Sequence, residues 1–510
     1  MSEAPATTAD APRHHGGSRV ATNIVWLGAG QLVTWSLALV LAFVLPRHLG
    51  ASAVGRLYFA QSLWALAAAA IAFGTDAAIA RSIARDHTVG PMLTGRATVA
   101  RVALLGVVWP VVVGLLLVLR EDGPMIRLAL VVGLATSIGA LVGPARSALQ
   151  GVERMRALSI ADMTIKGVLV VGVVLLVSLD QGVGVVAFAW VAAAACGAAL
   201  VVVEARRLAG ARYWARPAMV RATLGLGLPF LLFEGSRILY QQVDTVVISL
   251  LIDDRTVGWY GTADQIYRTM FFLPSVALAA LFPMLSRLPS RPAREVETVL
   301  GDCVTFTYLA AVPLGAGLVV LGPRLAEFVF GGGFTGTGRA LAVFGAALVP
   351  TYLATMLGYA ASAMDRLGVW VRLMLGAALA TTVLDVVLVP WADRRYGNGA
   401  IGGALSYVIT EIVIVSIGLG TLGPPLARVL ASMVTLKATL AGVVMGVVVW
   451  SIRDLPLALP ILVGTVTYPA VLALLRTVDG RRRAILRDAV RSLRRRSATD
   501  AGHTVQGGEA

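Results

Sequence analysis

Only two cysteines, Cys196 and Cys303, occur in 510 residues, and both fall inside apolar stretches. That scarcity argues against a disulfide framework or a thiolate metal site, and each cysteine reads as a small buried hydrophobe. Charge is equally sparse, at 14% of residues, against about 25% in a soluble domain. No stretch of mixed polarity between Val20 and Val478 is long enough to form such a domain. Lysine is nearly missing: Lys166 and Lys437 stand among 43 basic residues, the rest arginine. The five histidines (His14, His15, His48, His87 and His503) sit in termini or loops, which removes an imidazole proton relay from the apolar interior. The first 19 residues hold no apolar run, so they do not read as a cleaved signal peptide.

What the chain has instead is hydrophobicity, at 57% of residues. A spanning helix needs about 20 mostly apolar residues, and that rule places fourteen spans. The expected fold is an all-α polytopic membrane protein with a disordered cytoplasmic N-terminus (1–19) and a six-helix lobe (20–206). A basic cytoplasmic linker (207–221), a second six-helix lobe (222–421), two additional spans (422–477) and a basic cytoplasmic tail (478–510) follow. With the N-terminus inside, 30 of the 43 basic residues fall on the cytoplasmic side and ten outside. Short cytoplasmic loops collect positive charge, so the count supports that orientation and an even number of spans.

A net charge of +15 raises the question of nucleic acid. The basic residues are scattered through short loops and the tail, where RRRAILRDAVRSLRRR spans 481–496. That segment carries apolar residues every fourth position and no aromatic ring for base stacking. Two readings fit it, a topology anchor and an amphipathic helix on anionic membrane lipids; a nucleic-acid partner is not expected.

Fragments recur in order along the two halves. AVGRLYFAQSLW from Ala53 matches TVGWYGTADQIY from Thr256, RSALQGVER from Arg146 matches GYAASAMDR from Gly358, and GVGVVAFAW from Gly182 matches GAIGGALSY from Gly399. Six helices separate the copies, so the halves should be parallel repeats around a central cavity.

Helix seven carries the densest chemistry. At 100° per residue, Glu234, Arg237, Gln241, Asp244 and Thr245 share one face, with Leu232, Leu239, Val243 and Val246 opposite. Helix eight adds Asp264, Tyr267 and Arg268. A charge at mid-bilayer costs about 2.5–3.5 kcal/mol on insertion scales, so these faces should meet water or partners. Guanidinium forks suit phosphate oxygens. Arg237, Arg268 and Lys166 are therefore candidate substrate contacts, joined by Gln31, Tyr240, Gln241 and Tyr267; the competing reading is that the arginines only neutralise Glu234 and Asp264. The acids Glu234, Asp244, Asp264, Asp385 and Glu411 outnumber those cations, which leaves room for coupling to a proton or sodium gradient. No catalytic residue, metal site or bound cofactor is expected. Bends are expected at the Gly225–Pro229 run and at Pro144, Pro274, Pro313 and Pro350.

Three segments carry a resemblance: GAGQLVTWSLALVLAFVLPRHLGASAVGRLYFAQ from Gly28, PFLLFEGSRILYQQVDTVVISLLIDDRTVGWYGTADQIY from Pro229, and VLDVVLVPWADRRYGNGAIGGALSYVITEIV from Val383. Together they resemble the O-antigen-type polysaccharide flippases of the multidrug/oligosaccharidyl-lipid/polysaccharide (MOP) exporter superfamily. The resemblance implies two six-helix lobes in a bacterial cytoplasmic membrane and ion-driven flipping of a polyprenyl-diphosphate-linked glycan. It also implies glycan-assembly enzymes as partners. Asp244 matches an acidic position late in helix seven, and Gly258 with Tyr260 matches the Gly-x-Tyr that follows; Asp385 departs from the Asn more often found there. The alternatives are a peptidoglycan lipid-precursor flippase or a multidrug exporter of the same superfamily, and, from a different class, a membrane glycosyltransferase or ligase. That enzyme reading needs acids or Arg/His in substantial external loops, of which the longest is expected from Gly322 to about Arg339 with Glu327 its sole acid.

Overall fold

A computed structural model describes residues 16–209, 220–271, 293–364, 366–422, 430 and 432–477. The basic segment 481–496 and Pro274 lie outside them. Among the described residues the chain is helical throughout, as expected where lipid offers backbone groups no partners. The main helices are α1 (Gly16–Ala72), α2 (Thr75–Arg85), α3 (Gly90–Val118), α4 (Gly123–Gly151), α5 (Met155–Ser178), α6 (Phe188–Ala209) and α7 (Val220–Leu251). They continue with α8 (Asp254–Thr269), α9 (Ala293–Phe330), α10 (Thr335–Ala363), α11 (Leu367–Tyr396), α12 (Gly399–Leu422), α13 (Met433–Ser451) and α14 (Ala458–Leu474). Ten helices among the described residues are long and apolar enough to span a membrane. One of these, Gly30–Ala72, covers 43 residues, about twice the length a single span needs.

Two expected loops are absent. The chain between the first two spans stays helical except at Gly50, whose φ of 77° is open to a residue without a Cβ. The expected external loop from Gly322 to Arg339 is mostly helix as well: α9 runs through Pro323 to Phe330, and only the turn around Gly331–Phe334 separates it from α10. Helices α4, α7, α9 and α10 continue through Pro144, Pro229, Pro313 and Pro350. The interruption that composition did not announce is at Phe73 (φ 48°) and Gly74 (φ 66°), between α1 and α2.

The chain forms two compact units. Unit 1 comprises Met1–Val44 and Ala67–Leu231; unit 2 comprises Leu45–Leu66 and Leu232–Ala510. In unit 1, small residues bring α4, α5 and α6 together through Val142, Ala145, Leu149, Ala161, Val201 and Ala205. The opening turns of α7 also belong here. A Cβ on Gly227 would lie 2.1 Å from the Phe73 carbonyl oxygen, and one on Gly74 2.3 Å from that of Gly227. The glycine in the Gly225–Pro229 run thus serves backbone contact with the α1–α2 break. In unit 2, α9, α13 and α14 share a core of Val312, Leu321, Ala441, Met445, Val449 and Tyr468. Helices α8, α10, α11 and α12 form the adjoining group. Exposed Leu379, Val383, Val386 and Val387 on α11 suit contact with lipid tails.

Candidate functional site

Unit 2 assembles most of the candidate residues in three tiers. At its half-exposed surface, Arg237 donates to Glu234 from Nη2 at 2.8 Å and from Nε at 3.1 Å. Its Nη1 donates to Gln241 Oε1 at 3.0 Å. These partners are three and four residues away on α7, so one helical turn is enough to bring them together. On α8, Arg268 Nε donates to Asp264 Oδ2 at 2.5 Å, and its Nη2 crosses to the backbone carbonyl of Gln241 at 3.1 Å. Gln241 therefore holds one arginine by its side chain and the other by its main chain.

The second tier is buried. Asp244 accepts from the Tyr260 hydroxyl of α8 at 2.7 Å and from the Thr381 hydroxyl of α11 at 3.1 Å. One turn beyond Thr381 stands Asp385, fully buried, beside Asp244 and Ser406. Neither oxygen of Asp385 receives a hydrogen bond among the described residues.

In the third tier Glu411 of α12 accepts from Tyr240 at 3.0 Å, while its Oε2 has no donor. Around it Tyr240 stacks on Tyr407 with centroids 5.7 Å apart, and Tyr267 stacks on Phe344 at 4.9 Å. The Tyr267 hydroxyl donates to Thr351 at 2.6 Å.

Lys166 and Gln31 lie in unit 1. Lys166, half-buried on α5, follows Asp162 by one turn, and Asp162 pairs with Arg146 at 2.7 Å. Gln31 is exposed on α1. A cluster that composition did not reveal also sits in unit 1: Arg101, 1% exposed, donates to Asp76 at 2.7 Å, to Thr75 at 3.0 Å and to the Ala140 carbonyl. Ser147 adds a bond to Asp76 at 3.0 Å. Among the described residues no cluster of three His, Cys, Asp or Glu is placed to hold a metal ion. The hydroxyl partners Thr351 and Thr381 were not foreseen, although Thr381 with Asp385 has the four-residue spacing that shares a helix face.

The sequence profile of the polysaccharide biosynthesis protein family matches residues 20–289. The chain belongs to that family. Among curated relatives of this family member, the probable low-salt glycan biosynthesis flippase Agl15 of Haloferax volcanii is 24% identical over 178 residues. That alignment covers 34% of this chain and 37% of the relative. The fold is shared with solved structures: the lipid II flippase MurJ in an inward closed conformation superposes with a TM-score of 0.67 at 16% identity, over 89% of this chain and 98% of MurJ. An inward-facing multidrug resistance MATE family transporter of the MOP superfamily gives a TM-score of 0.60 at 18% identity, over 80% of this chain and 98% of its own. This member of the polysaccharide biosynthesis protein family is therefore a multi-pass membrane protein with a transporter fold.

Proposed function

We propose that the chain flips a polyprenyl-diphosphate-linked oligosaccharide or polysaccharide precursor across the cytoplasmic membrane by ion-coupled alternating access, with both termini inside and no catalytic step. The observation that carries this reading is the joining of Arg237 and Arg268 through Gln241, from two helices. Each guanidinium is already matched by its own carboxylate, Glu234 or Asp264, so the helices carry their charge without cargo. The Arg237 pair is nearly half-exposed, and pairs at that exposure contribute about 0–1 kcal/mol. Diphosphate oxygens can displace such a carboxylate at little cost and exploit the same fork geometry. A cationic drug would instead meet two guanidinium groups, which favours the glycan lipid over drug export.

Coupling is assigned to the buried acids. An ionised carboxyl with no donor is costly by several kcal/mol, so Asp385 beside Asp244 carries either a proton or a balancing monovalent cation. A gradient of that ion then biases the rocking equilibrium, at about 2.3 kcal/mol per charge per 100 mV. The test replaces Arg237→Ala and Arg268→Ala in cells and measures surface glycan alongside the amount of protein in the membrane. Loss of surface glycan at unchanged protein level is expected; full glycan display in both variants would overturn the assignment.

A further inference from the structure

Residues 45–66 follow the first span of unit 1 along the chain yet belong to unit 2. The contact that places them there is reciprocal. An ideal Cβ on Gly55 would stand 1.7 Å from the carbonyl oxygen of Asp254, and one on Gly258 would stand 2.0 Å from that of Ala51. Each glycine thus sits over the carbonyl one turn before the other glycine. Gly55 and Gly258 occupy matching places in the duplicated segments AVGRLYF and TVGWYGT, so the repeat pairs with itself about a local two-fold axis. The symmetry breaks at Tyr58: opposite its ring stands Gly261, whose Cβ would lie 2.3 Å from that ring.

Two polar links close the contact. Arg56 Nε meets Asp254 Oδ2 at 2.7 Å, and the Tyr58 hydroxyl donates to Gln265 Oε1 at 2.6 Å. Asp254 lies in the first turn of α8, where the helix dipole favours a carboxylate. Arg56 and Asp254 are each about one-third exposed, so both can be hydrated when parted. Backbone laid on backbone interlocks no large apolar knob at the glycines. The segment is bounded at one end by Gly50 and beyond its far end by Phe73–Gly74, both left-handed breaks. A contact with these properties closes tightly and separates without stranding a buried charge.

We infer that the Gly55–Gly258 contact, latched by Arg56–Asp254 and Tyr58–Gln265, is the outer seal of the transport path and parts to release cargo. This rests on the transporter reading above and assigns residues outside its cation site to the exit step.

The test uses the full chain in right-side-out membrane vesicles, with Cys196→Ser and Cys303→Ala removing native thiols. Val54→Cys places a thiol beside Gly55 at a position that is fully buried, and a membrane-impermeant maleimide added outside reports its exposure. Gly258→Ala should raise the labelling rate about tenfold by shifting the closed population, and Asp254→Asn about threefold. Gly106→Ala, whose Cβ meets nothing within 4 Å, should leave it unchanged. Parent-like labelling in both Gly258→Ala and Asp254→Asn, or labelling from the cytoplasmic side alone, overturns the seal. Because this readout needs no cargo, a labelling response together with intact glycan in Arg237→Ala and Arg268→Ala would leave the seal standing and remove the glycan assignment.

Discussion

Arg101 in unit 1 and Arg237 in unit 2 are both paired arginines of membrane helices, and they are held in opposite ways. Arg101 is 1% exposed and ties α3 to α2 and α4 through Asp76, Thr75 and Ala140. Arg237 is close to half-exposed and, among the described residues, bonds within its own helix. A charge shared among helices serves as architecture, because every bond it makes is also a tertiary contact. A charge satisfied inside one helix leaves its neighbours free, and its bonds can be traded for those of a ligand.

The sharpest way to break this comparison is Arg101→Ala. The change leaves the Thr75 and Ala140 acceptors without their donor, while Asp76, 45% exposed, can be hydrated; at a cost of about 1–3 kcal/mol the variant should lose membrane-integrated protein, read by detergent-solubilised melting and by yield. A variant that melts with the parent would put Arg101 in the same class as Arg237. Arg237→Ala should melt within about 1 kcal/mol of the parent and still lose surface glycan. The two readouts should therefore separate in opposite directions.

Asp385→Asn tests the buried acids of unit 2. Replacing an unmatched carboxyl by an amide of the same shape should preserve folding. Glycan display should then no longer respond to collapse of the ion gradient, and a variant that keeps the parent's gradient response excludes Asp385 from coupling. Arg237→Lys retains charge without the planar fork and should lower display about three- to tenfold, less than alanine does; equal loss in both would mean that the fork alone matters. The smallest expected effect is that of Ser147→Ala, which removes one of the two bonds to Asp76 and should lower stability by about 1 kcal/mol, measured by the same melting assay.

Hydropathy was sufficient for the helical architecture, because a lipid solvent imposes a length and a composition on every span. Helical periodicity also placed Glu234, Arg237 and Gln241 on one face of α7, where the structure joins them. The breaks were harder to see. Prolines 144, 229, 313 and 350 stand where bends were expected, and the helices stay continuous through them, since a proline in lipid only has to leave one carbonyl to another partner. Phe73 and Gly74 drew none, because a left-handed pair inside an apolar run leaves no mark on hydropathy. The hydroxyls of Thr351, which accepts from Tyr267, and Thr381, which donates to Asp244, were hidden for a related reason: threonine is common in apolar helices, and only the position of a partner gives it meaning. Gly55 and Gly258 stood in the duplicated segments from the start, but a repeat read along one dimension does not say that its copies touch.

Gly50 has a mechanical consequence. Helix runs up to it on one side and resumes at Ala51 on the other, so the direction change between two long rods is concentrated in the dihedrals of one residue. A corner with no slack cannot absorb a displacement by flexing a loop, and any swing of the rod beyond it is delivered to the rod before it. A β-branched side chain there would disfavour the corner through its backbone dihedrals alone, even though a Cβ at Gly50 meets nothing within 4 Å.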